Sequence, residues 1–568
     1  MAKSSRKQTP YAANVSARKP WRHWHDGLFY ELQLNGPAPD RLTFNLVNPY
    51  KPDTTDAIEL LKQYENEQLH ISSISQHQEG FLTPWRDLCS EDLKYRRYHS
   101  FAWLAGMAAG GQSSLPAARA MVDGWLHYNE KYQPETWHPH LVCDRLWHLA
   151  RDGQWLMRGA EATWRSRLLS SMARQTRHLA KAVARVEEPV ERLFSAMTLI
   201  LMGLALPHHR TCEEQGSTLL RRELRLQLRA DGGHISRNPS LQLRITLCLQ
   251  DLMKAYRLLS LSAPNFLHHA VSRTTDMTEF FRCGDGRLAV FNQGTEDDPK
   301  ALARALSFDS VARNRIDFAS QSGFQRLYGA RTYLYADIGV PAASPGRVSN
   351  EIADSAKGTF AIQFSAGRQR IITNCGSANA LATPDSGLSL AEYRQWHEAL
   401  AGPDAHSGLC VDGVDTPFSG TARNGAGGNS YHHLEEDRHG QLLELERTDV
   451  PGATGCTHRR RLFLGIDGDD LRGEDVLIPP GGESAPKWLL RFHLYPGIKA
   501  SLSRDRHTVI LVTPQNEGWR FIAGDAMMEL APSIYCGVEG PVQKIEQIIV
   551  KPARARGVVQ QVKWALKK

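Results

Sequence analysis

The chain contains 568 residues, which is too long for one compact core, so we expect two or three domains. Hydrophobic residues make up 41% of the sequence, a value typical of globular proteins. The net charge of +7 is small for this length and does not require nucleic acid as a partner, so we expect none. The longest apolar runs, such as Met197–Leu206, are much shorter than a membrane span, so we expect no transmembrane helix.

The N-terminal residues and the cysteines both indicate a reducing compartment. Residues 1–20 are rich in lysine and arginine but contain no apolar run long enough for a secretory signal, so we expect a disordered basic tail there. Nine cysteines are spread along the chain without a CxxC pair, a pattern that favours buried thiols over a thiolate zinc cluster. We therefore expect a cytoplasmic location.

Residues 21–275 are predicted to form a helical domain. Between about residues 91 and 265, apolar residues recur every three or four positions. The expected helices cover residues 99–109, 115–130, 143–157, 162–185, 191–206, 215–230 and 240–260. Most tryptophans of this region are expected in the core. Trp137 lies in a link rich in proline and histidine, and it is our candidate for a groove residue that stacks on a sugar ring.

The loop between the last two predicted helices, Asp231–Pro239, has the sequence DGGHISRNP. Its glycines can end one helix, and Asn238 and Pro239 are suited to begin the next. His234 and Arg237 are therefore placed beside a helix N-terminus, where free N–H groups and the helix dipole favour anions. Two interpretations stay open: a site for a carboxylated or phosphorylated ligand, or an ordinary connection between helices.

Residues 276–568 are predicted to form an antiparallel β-sandwich, because short alternating or apolar runs are separated there by glycine, aspartate, asparagine and proline. The expected strands are Arg287–Asn292, Thr332–Asp337, Thr359–Phe364, Gln369–Thr373, Leu442–Arg447, Arg460–Leu464, Trp488–Tyr495, Thr508–Thr513 and Gly518–Ile522. Residues 404–429 are expected to form a long loop apart from Leu409–Val411. No GxxxxGK[ST], GxGxxG or HExxH pattern occurs in a suitable context, which disfavours nucleotide-binding and zinc-protease functions.

A helical half that carries DGGHISRNP, followed by a β half, resembles the heparinase II/III-like polysaccharide lyases, in particular their alphaproteobacterial branch. Further segments support the resemblance in the same order: YHSFAWL at 98–104, GDG at 284–286, SGFQRL at 322–327, RIITNCG at 370–376, AHS at 405–407, HRRRL at 458–462, GED at 473–475, RFHL at 491–494 and GWRF at 518–521. The resemblance implies an α+β two-domain fold, an incomplete (α/α) toroid followed by an antiparallel β-sandwich, with a polysaccharide cleft between them.

The chemistry that the resemblance implies is β-elimination at a uronic acid. One group neutralises the carboxylate so that the C5 proton becomes acidic, a Tyr or His removes this proton, and a Tyr or His protonates the departing O4. We assign proton transfer to His234 and neutralisation of the uronate carboxylate to Arg237. His493, within RFHL, is the third catalytic candidate, and its alternative is a hydrogen-bonded histidine inside a sheet. The expected partner is an acidic polysaccharide or oligosaccharide.

The chain departs from the family pattern at several positions. Leu241 occupies the place of the expected tyrosine, and Val190–Glu191 replaces an Asn-His pair. In the β half, Ala356 stands for an expected histidine and Asn374 for an expected metal-binding aspartate. Of the family's zinc ligands His406 is kept alone, and because one histidine cannot form a zinc site, we predict no metal there and no cofactor.

Substrate-binding candidates come from both halves of the chain. Arg145 can neutralise a uronate, although a salt bridge on the helix surface is the simpler alternative. If His234 is not the base, the reserves are His99, His138, His140 and Tyr328, and each of these also fits a surface or capping role. The expected substrate-binding residues are Trp137, Arg145, Glu191, Asn238, His99, Tyr328 and His406.

Two functions, and a less favoured third, stay open. The first is a lyase that cleaves an acidic, uronate-containing polysaccharide by β-elimination. The second is a polysaccharide-binding protein of the same fold that has lost catalysis, which Leu241, Val190–Glu191 and Ala356 favour. The third is a hydrolase that uses Glu191 and Asp231 as a carboxylate pair. The resemblance also offers a periplasmic or envelope location as an alternative to the cytoplasm, and the oligomeric state is left open.

Overall fold

The fold is described from a computed structural model of the chain. The structure describes residues 28–46, 54–71, 85, 93–308, 316–339, 358, 360–383, 386–411, 430–450, 452–482, 486–552 and 560–568. The predicted basic tail at residues 1–20, Ala356, and most of the predicted loop at 404–429 lie outside the described residues. Within the described ranges, we find no helix whose length and apolar character would allow it to cross a membrane.

The chain divides into two compact units. Unit 1 comprises residues 1–46, 56–90 and 94–219, and unit 2 comprises residues 47–55, 91–93 and 220–568. The described part of unit 1 is helical, whereas unit 2 contains helices as well as strands. The sequence predicts a domain boundary between residues 275 and 276, where the helical pattern gives way to the strand pattern. As a domain boundary, this position stays a prediction.

Unit 1 is built from helices that pack through apolar faces. They are α1 (Leu28–Leu34), α2 (Thr55–Ile71), α3 (Leu93–His99), α4 (Leu104–Ala109), α5 (Leu115–Asn129), α6 (Pro139–Met157), α7 (Ala162–Ala182), α8 (Pro189–Ala205) and α9 (Arg210–Gln227), of which α9 continues into unit 2. Nearly all residues of α8 from Leu193 onward are buried. A helix that is apolar on all sides has to be surrounded by other elements, so α8 forms the centre of this core.

The helix predicted at residues 99–109 is wrong, because two helices occupy this region. Helix α3 ends at His99 and α4 begins at Leu104. Phe101 adopts a left-handed conformation with φ of 61°, which ends the first helix. The indole N–H of Trp103 donates to the carbonyl oxygen of Tyr98 at 3.2 Å, and both aromatic rings of the link, Phe101 and Trp103, are buried. Burial of these rings offsets the cost of breaking the helix.

Unit 2 contains the remaining helices and the strands of the described chain. The helices are α10 (Pro239–Leu258), α11 (Asn265–Phe280), α12 (Pro299–Leu306) and α13 (Leu390–Ala401). The strands are β1 (Phe318–Ala319), β2 (Phe324–Gly329), β3 (Thr332–Asp337), β4 (Ile362–Ala366), β5 (Gln369–Thr373), β6 (Leu409–Val411), β7 (Ser430–Asp437), β8 (Gly440–Val450), β9 (Ala453–Gly465), β10 (Asp470–Ile478), β11 (Trp488–Leu494), β12 (Lys499–Leu502), β13 (Thr508–Val512), β14 (Gly518–Ile522), β15 (Ala526–Tyr535), β16 (Gln543–Pro552) and β17 (Gln560–Lys567).

The strands form two sheets that face each other across one core, so the predicted β-sandwich is confirmed. The first sheet has the order β1-β2-β3-β4-β5-β11-β16-β15, with β6 paired to β11, and the second has the order β12-β13-β14-β17-β10-β9-β8-β7. Neighbouring strands pair antiparallel, as in the pairs β2 with β3 and β8 with β9. The shared core contains Phe364 and Phe492 from the first sheet and Phe521 and Trp564 from the second.

Helices of unit 2 cover the other face of the first sheet. A second apolar cluster joins Leu243 of α10, Met277 of α11 and Leu302 of α12 to Phe324 and Tyr335 of the sheet. This packing places the DGGHISRNP loop, which precedes α10, beside the first sheet. The loop is therefore built into unit 2 from both sides.

The strand predicted at Arg287–Asn292 is wrong. Its backbone forms one isolated bridge, between Arg282 and Leu288, and no ladder. The N–H of Ala289 donates to the carbonyl of Phe281 at 2.8 Å, and the N–H of Val290 donates to the side chain of Gln363 at 2.8 Å. The apolar residues are buried as expected, but loop and side-chain acceptors take the place of a neighbouring strand.

Candidate functional site

The DGGHISRNP loop connects α9 to α10 with the predicted capping residues. Gly232 has φ of +87°, and a Cβ at this position would lie 2.2 Å from the carbonyl oxygen of Arg273, so glycine is required. The side chain of Asn238 accepts from the N–H of Leu241 at 3.0 Å, and Pro239 is the first residue of α10. The amide of Asn238 also donates to the carbonyl oxygens of residues 292 and 293, each at 3.1 Å. The substrate-binding candidate Asn238 therefore uses its side chain for capping and loop contacts.

Asp231 anchors this loop to the segment before β2. One carboxylate oxygen accepts from the backbone N–H groups of Gln321 at 3.0 Å and Ser322 at 2.7 Å. The other accepts from the hydroxyl of Ser322 at 2.7 Å and the N–H of Gly233 at 3.1 Å. Both oxygens are thus occupied within unit 2, and this geometry gives no support to a hydrolytic carboxylate pair with Glu191 of unit 1.

His234 is a buried, neutral histidine with a partner on each ring nitrogen. Nε2 of His234 donates to the side-chain amide oxygen of Gln227 at 3.1 Å, because this oxygen can only accept. Nδ1 then accepts from the hydroxyl of Ser236 at 2.8 Å and from its backbone N–H at 3.1 Å. Burial, with a smaller contribution from Arg229, lowers the pKa of His234 to about 3. In this conformation both nitrogens shape the loop, and the proposed proton transfer stays a prediction that the geometry does not favour.

Arg237 forms a buried ion pair with Asp337 at the end of β3. Its guanidinium also donates to the carbonyl oxygens of Ser322 at 2.8 Å and Gly323 at 2.9 Å, and it lies 4.6 Å from the ring centroid of Phe324. The Arg237 and Asp337 side chains are 4% and 1% exposed. The guanidinium is therefore neutralised inside unit 2, and a uronate would have to compete with Asp337 for it.

His493 lies within β11 and is also saturated with hydrogen bonds. Nε2 donates to the carbonyl oxygen of Asp404 at 3.0 Å, and Nδ1 accepts from the hydroxyl of Ser533 at 2.8 Å. Burial, together with the charges of Arg491 and His406, lowers the pKa of His493 to about 3. This arrangement fits the alternative expected from the sequence, a hydrogen-bonded histidine inside a sheet. Within the described part of the chain, no contact joins His493 to the DGGHISRNP loop.

His406 and Asn374, at the positions of expected metal ligands, are buried in polar contacts. Nδ1 of His406 donates to the carbonyl oxygen of Gly402 at 2.8 Å. The amide of Asn374 donates to the carbonyl oxygen of Val290 at 2.7 Å and accepts from the N–H of Ser407 at 2.8 Å. An aspartate carboxylate could accept from the N–H of Ser407 but could not donate to the carbonyl oxygen of Val290. An asparagine makes both hydrogen bonds and therefore suits this position.

Arg145 and His99 meet in the core of unit 1. Arg145 has no exposed surface, so the expected salt bridge on a helix surface is wrong. Its guanidinium donates to the carbonyl oxygens of His99 and Thr136, the latter at 3.1 Å, and to the side chain of Gln175 at 2.7 Å. It lies 4.3 Å from the ring centroid of Trp125. Burial lowers the pKa of Arg145 to about 9 and that of His99 to about 3.

Trp137 and Tyr328, the two aromatic candidates, differ in exposure. Trp137 has no exposed surface, and its indole N–H donates to the carbonyl oxygen of Asn129 at 2.9 Å. The prediction of a groove position for Trp137 is therefore wrong, since a buried ring cannot stack on a sugar. Tyr328 lies half-buried on β2, and its backbone N–H donates to the side chain of Gln441 at 2.8 Å. Its substrate contact stays a prediction.

Glu191 lies beside His138 and His140 in unit 1. Its carboxylate is 3.6 Å from Nδ1 of His140, and the Nδ1 atoms of the two histidines are 2.6 Å apart. The side chains are partly exposed. The three residues were separate candidates in the sequence, and the packing of α6 against α8 brings them together.

A basic groove in unit 2 was missed by the sequence analysis. It has a volume of about 960 Å³ and lies between the C-terminal part of α9 and α11. Its charged lining residues are Arg221, Arg225 and Arg273, with His269 beside them. Within the described part of the chain none of the three arginines forms an ion pair. Two arginines four residues apart on one helix, without an acidic partner, were the signal that could have found it.

Comparisons with known proteins agree with this architecture. Residues 312–565 match the family model described as Heparinase II/III-like, C-terminal. FtsZ-localized protein C of Caulobacter vibrioides is 29% identical over 479 residues, which make up 83% of this chain and 81% of that protein.

Two solved structures show the same fold at low sequence identity. The crystal structure of heparinase III superimposes with a TM-score of 0.65 at 13% identity, covering 85% of this chain and 78% of that one. Heparan sulfate lyase HepC from Pedobacter heparinus gives a TM-score of 0.56 at 12% identity, covering 95% of this chain and 87% of that one. The predicted fold class, an incomplete (α/α) toroid followed by an antiparallel β-sandwich, is confirmed by this likeness. Residues 312–565 are therefore similar to the Heparinase II/III-like C-terminal family model, and the chain has a heparinase III-like fold.

Proposed function

We propose that this protein binds an acidic polysaccharide in the basic groove and does not cleave it through His234, Arg237 or His493. The observation that carries the proposal is the set of three arginines, Arg221, Arg225 and Arg273, which line one open groove without carboxylate partners. Guanidinium groups bind carboxylates and sulfates with paired hydrogen bonds, and these are the charged groups of acidic polysaccharides.

The rest of the groove suits a sugar chain. Leu224, Leu228 and Ala270 supply an apolar floor, and Phe266 adds an aromatic ring at one side. The guanidinium of Arg221 lies 5.0 Å from the centroid of the Phe266 ring, so the cation is held over an aromatic face. Apolar contact with sugar C–H groups and charge contact with acidic substituents are thus available side by side.

We expect no cleavage through His234, Arg237 or His493 because each side chain is already bound to other groups of the protein. A general base needs a free lone pair within reach of the substrate proton, but both nitrogens of His234 and of His493 are bound within the protein. Arg237 is paired with Asp337. Leu241, at the place of the expected tyrosine, has no proton to exchange.

Replacing Arg221 and Arg225 by serine is expected to weaken binding of heparin or polygalacturonate at least about tenfold, because two charge-assisted contacts are lost. Isothermal titration at low and raised salt measures this effect. The matched control is Arg459→Ser with Arg461→Ser, which removes the same charge from arginines paired with Glu446 and Glu444 at 2.7 Å. An equal loss in both variants would overturn the groove as the binding site.

The same polysaccharides provide the test for cleavage. Elimination creates a 4,5-unsaturated uronate that absorbs ultraviolet light, and we expect none from the wild-type protein on glycosaminoglycans, alginates and acidic exopolysaccharides. Product formation by the wild type that is abolished in His234→Gln would contradict this half of the proposal and establish the lyase.

A second candidate function is an association with FtsZ, which the Caulobacter relative supports because the similarity covers 83% of this chain. We expect the purified protein to pellet with polymerised Caulobacter FtsZ and to stay in solution with FtsZ that is not polymerised. No enrichment in the pellet would exclude this candidate. If the Arg221→Ser, Arg225→Ser variant loses pelleting while it keeps polysaccharide binding, the groove serves the protein partner instead.

A further inference from the structure

Three side chains with metal-binding atoms meet at the N-terminal ends of two helices in unit 1. His138 directly precedes α6, His140 lies in its first turn, and Glu191 lies in the first turn of α8. One ligand atom from each residue lies within 4.8 Å of those from the other two. Two imidazoles and a carboxylate are a common ligand set for Zn²⁺ and for Fe²⁺ in proteins.

The distances place these atoms around one point. Nδ1 of His140 is 3.6 Å from the Glu191 carboxylate and 2.6 Å from Nδ1 of His138. Ligand atoms about 2.0–2.2 Å from a tetrahedral Zn²⁺ are separated by roughly 3.3–3.5 Å. A small rotation of the His138 ring therefore opens the space for an ion. Both imidazoles already direct Nδ1 to this point.

The helices that carry the cluster are fixed to each other one and two turns further along. Sγ of Cys143 and the hydroxyl of Ser195 are 3.6 Å apart, and the indole N–H of Trp147 donates to the hydroxyl of Thr198 at 2.9 Å. All four side chains are buried. Ligands on rigid, mutually anchored helices lose little conformational entropy on binding, which favours a defined metal site.

The cluster is open to the solvent. The side chains of His140 and Glu191 are 24% and 27% exposed, so an ion can enter without unfolding of the helices. Three protein ligands leave at least one coordination position for water or for an anionic oxygen. Catalytic zinc sites have this arrangement, whereas structural zinc sites are closed by four protein ligands.

The electrostatic surroundings oppose a cation weakly. The N-terminal ends of α6 and α8 carry partial positive charge, which weakly disfavours a bound cation. The carboxylate of Glu191, in the first turn of α8, supplies the anionic ligand that attracts the cation.

We propose that His138, His140 and Glu191 bind a divalent transition-metal ion, with Zn²⁺ as the preferred ion and one exchangeable position. This site differs from the position of His406 in the β half, where we predict no metal. It is also separate from the basic groove, which lies in unit 2, so the two proposals can fail independently.

The test uses the full-length protein without a histidine tag, under reducing conditions, titrated with Co²⁺ and then with Zn²⁺. We expect one Co²⁺ per chain, with the visible absorption of a tetrahedral ion, which Zn²⁺ displaces. His140→Ala and Glu191→Gln should each weaken binding by more than roughly 100-fold, beyond the effect known for outer-shell partners. Unchanged helical circular dichroism verifies that both variants are folded.

The matched control is His432→Gln with His433→Gln, which removes an exposed pair of histidines on β7. We expect this variant to bind Co²⁺ as tightly as the wild type. The absence of stoichiometric binding to the wild type would overturn the proposal. Binding that survives Glu191→Gln and His140→Ala, or that is lost in the β7 variant, would place the metal elsewhere and would equally overturn it.

Discussion

Replacing Asp337 by alanine is expected to lower the free energy of unfolding of unit 2 by about 3–5 kcal/mol, because the Arg237 guanidinium would stay buried without a carboxylate. Burial of both side chains is nearly complete, so water cannot take the place of Asp337. The loss also removes the acceptor for the backbone N–H of Gly339, which donates to Asp337 at 2.8 Å.

The effect should spread to the DGGHISRNP loop. Arg237 is held by the carbonyl oxygens of Ser322 and Gly323 and by the ring of Phe324, and Asp337 supplies the one countercharge to this arrangement among the described residues. Without Asp337, hydration would stabilise the charged guanidinium in a conformation turned towards water. This movement would pull the loop away from β2 and β3.

Urea denaturation of wild type and Asp337→Ala measures the difference. The matched control is Glu529→Ala, which removes one carboxylate from an exposed pair with Lys551 at 2.9 Å and should cost less than about 1 kcal/mol. The double variant Arg237→Met with Asp337→Leu should recover part of the lost stability, because an apolar pair leaves no buried charge. A loss below about 1 kcal/mol for Asp337→Ala would contradict a buried, dry ion pair.

The segments that supported the family resemblance are largely the partners in buried polar contacts of unit 2. Arg370 of RIITNCG pairs with Asp285 of GDG at 2.7 Å. Asp475 of GED accepts from Arg460 of HRRRL at 2.6 Å. The backbone N–H of His493 in RFHL donates to the hydroxyl of Ser407 in AHS at 2.9 Å. The sequence therefore identified the fold correctly, because these motifs determine how the sheets and helices join.

The same observation explains why the catalytic assignment could not be derived from the sequence. Capping residues such as Asn238 and Pro239 act on neighbours in the chain, so local patterns predicted them. Whether His234 is accessible depends on Gln227, Ser236 and the packing of α9, and whether Arg237 is free depends on Asp337, one hundred residues later. Partners of this kind are set by the tertiary fold, which no local pattern contains.

The basic groove and the cluster of His138, His140 and Glu191 were not predicted from the sequence, for a related reason. Arg221 and Arg273 lie on different helices, and Glu191 lies on a different helix from the two histidines. Each residue alone fits an exposed helix position. Only the placement of α9 and α11 on two sides of the groove, and the packing of α6 with α8, brings like charges or ligand atoms together.

Lowering the pH from about 7.5 to about 5 is expected to destabilise unit 2 by about 4 kcal/mol through His234 and His493 alone. Burial lowers the pKa of each from 6.5 to about 3. A depressed folded pKa means that the unfolded chain binds protons first. The stability from each histidine is therefore complete above pH 6.5 and is lost as the pH falls towards 3, by about 2 kcal/mol per histidine at pH 5.

Urea denaturation of wild type and His234→Gln at several pH values isolates this contribution, because the other titratable groups are common to both proteins. The variant should lose about 2 kcal/mol less than the wild type over the same pH interval, although it is less stable at neutral pH. His433→Gln, at a side chain that is 46% exposed, is the control and should follow the wild type.

The outcome also bears on chemistry at the DGGHISRNP loop. A histidine with a pKa of about 3 is unprotonated at neutral pH, but it is too weak a base to gain much by taking a C5 proton. If His234→Gln and the wild type instead lose the same stability between neutral pH and pH 5, His234 titrates alike in the folded and unfolded chains. It would then have an ordinary pKa and accessible nitrogens, and the lyase hypothesis with His234 as the base would regain its physical support.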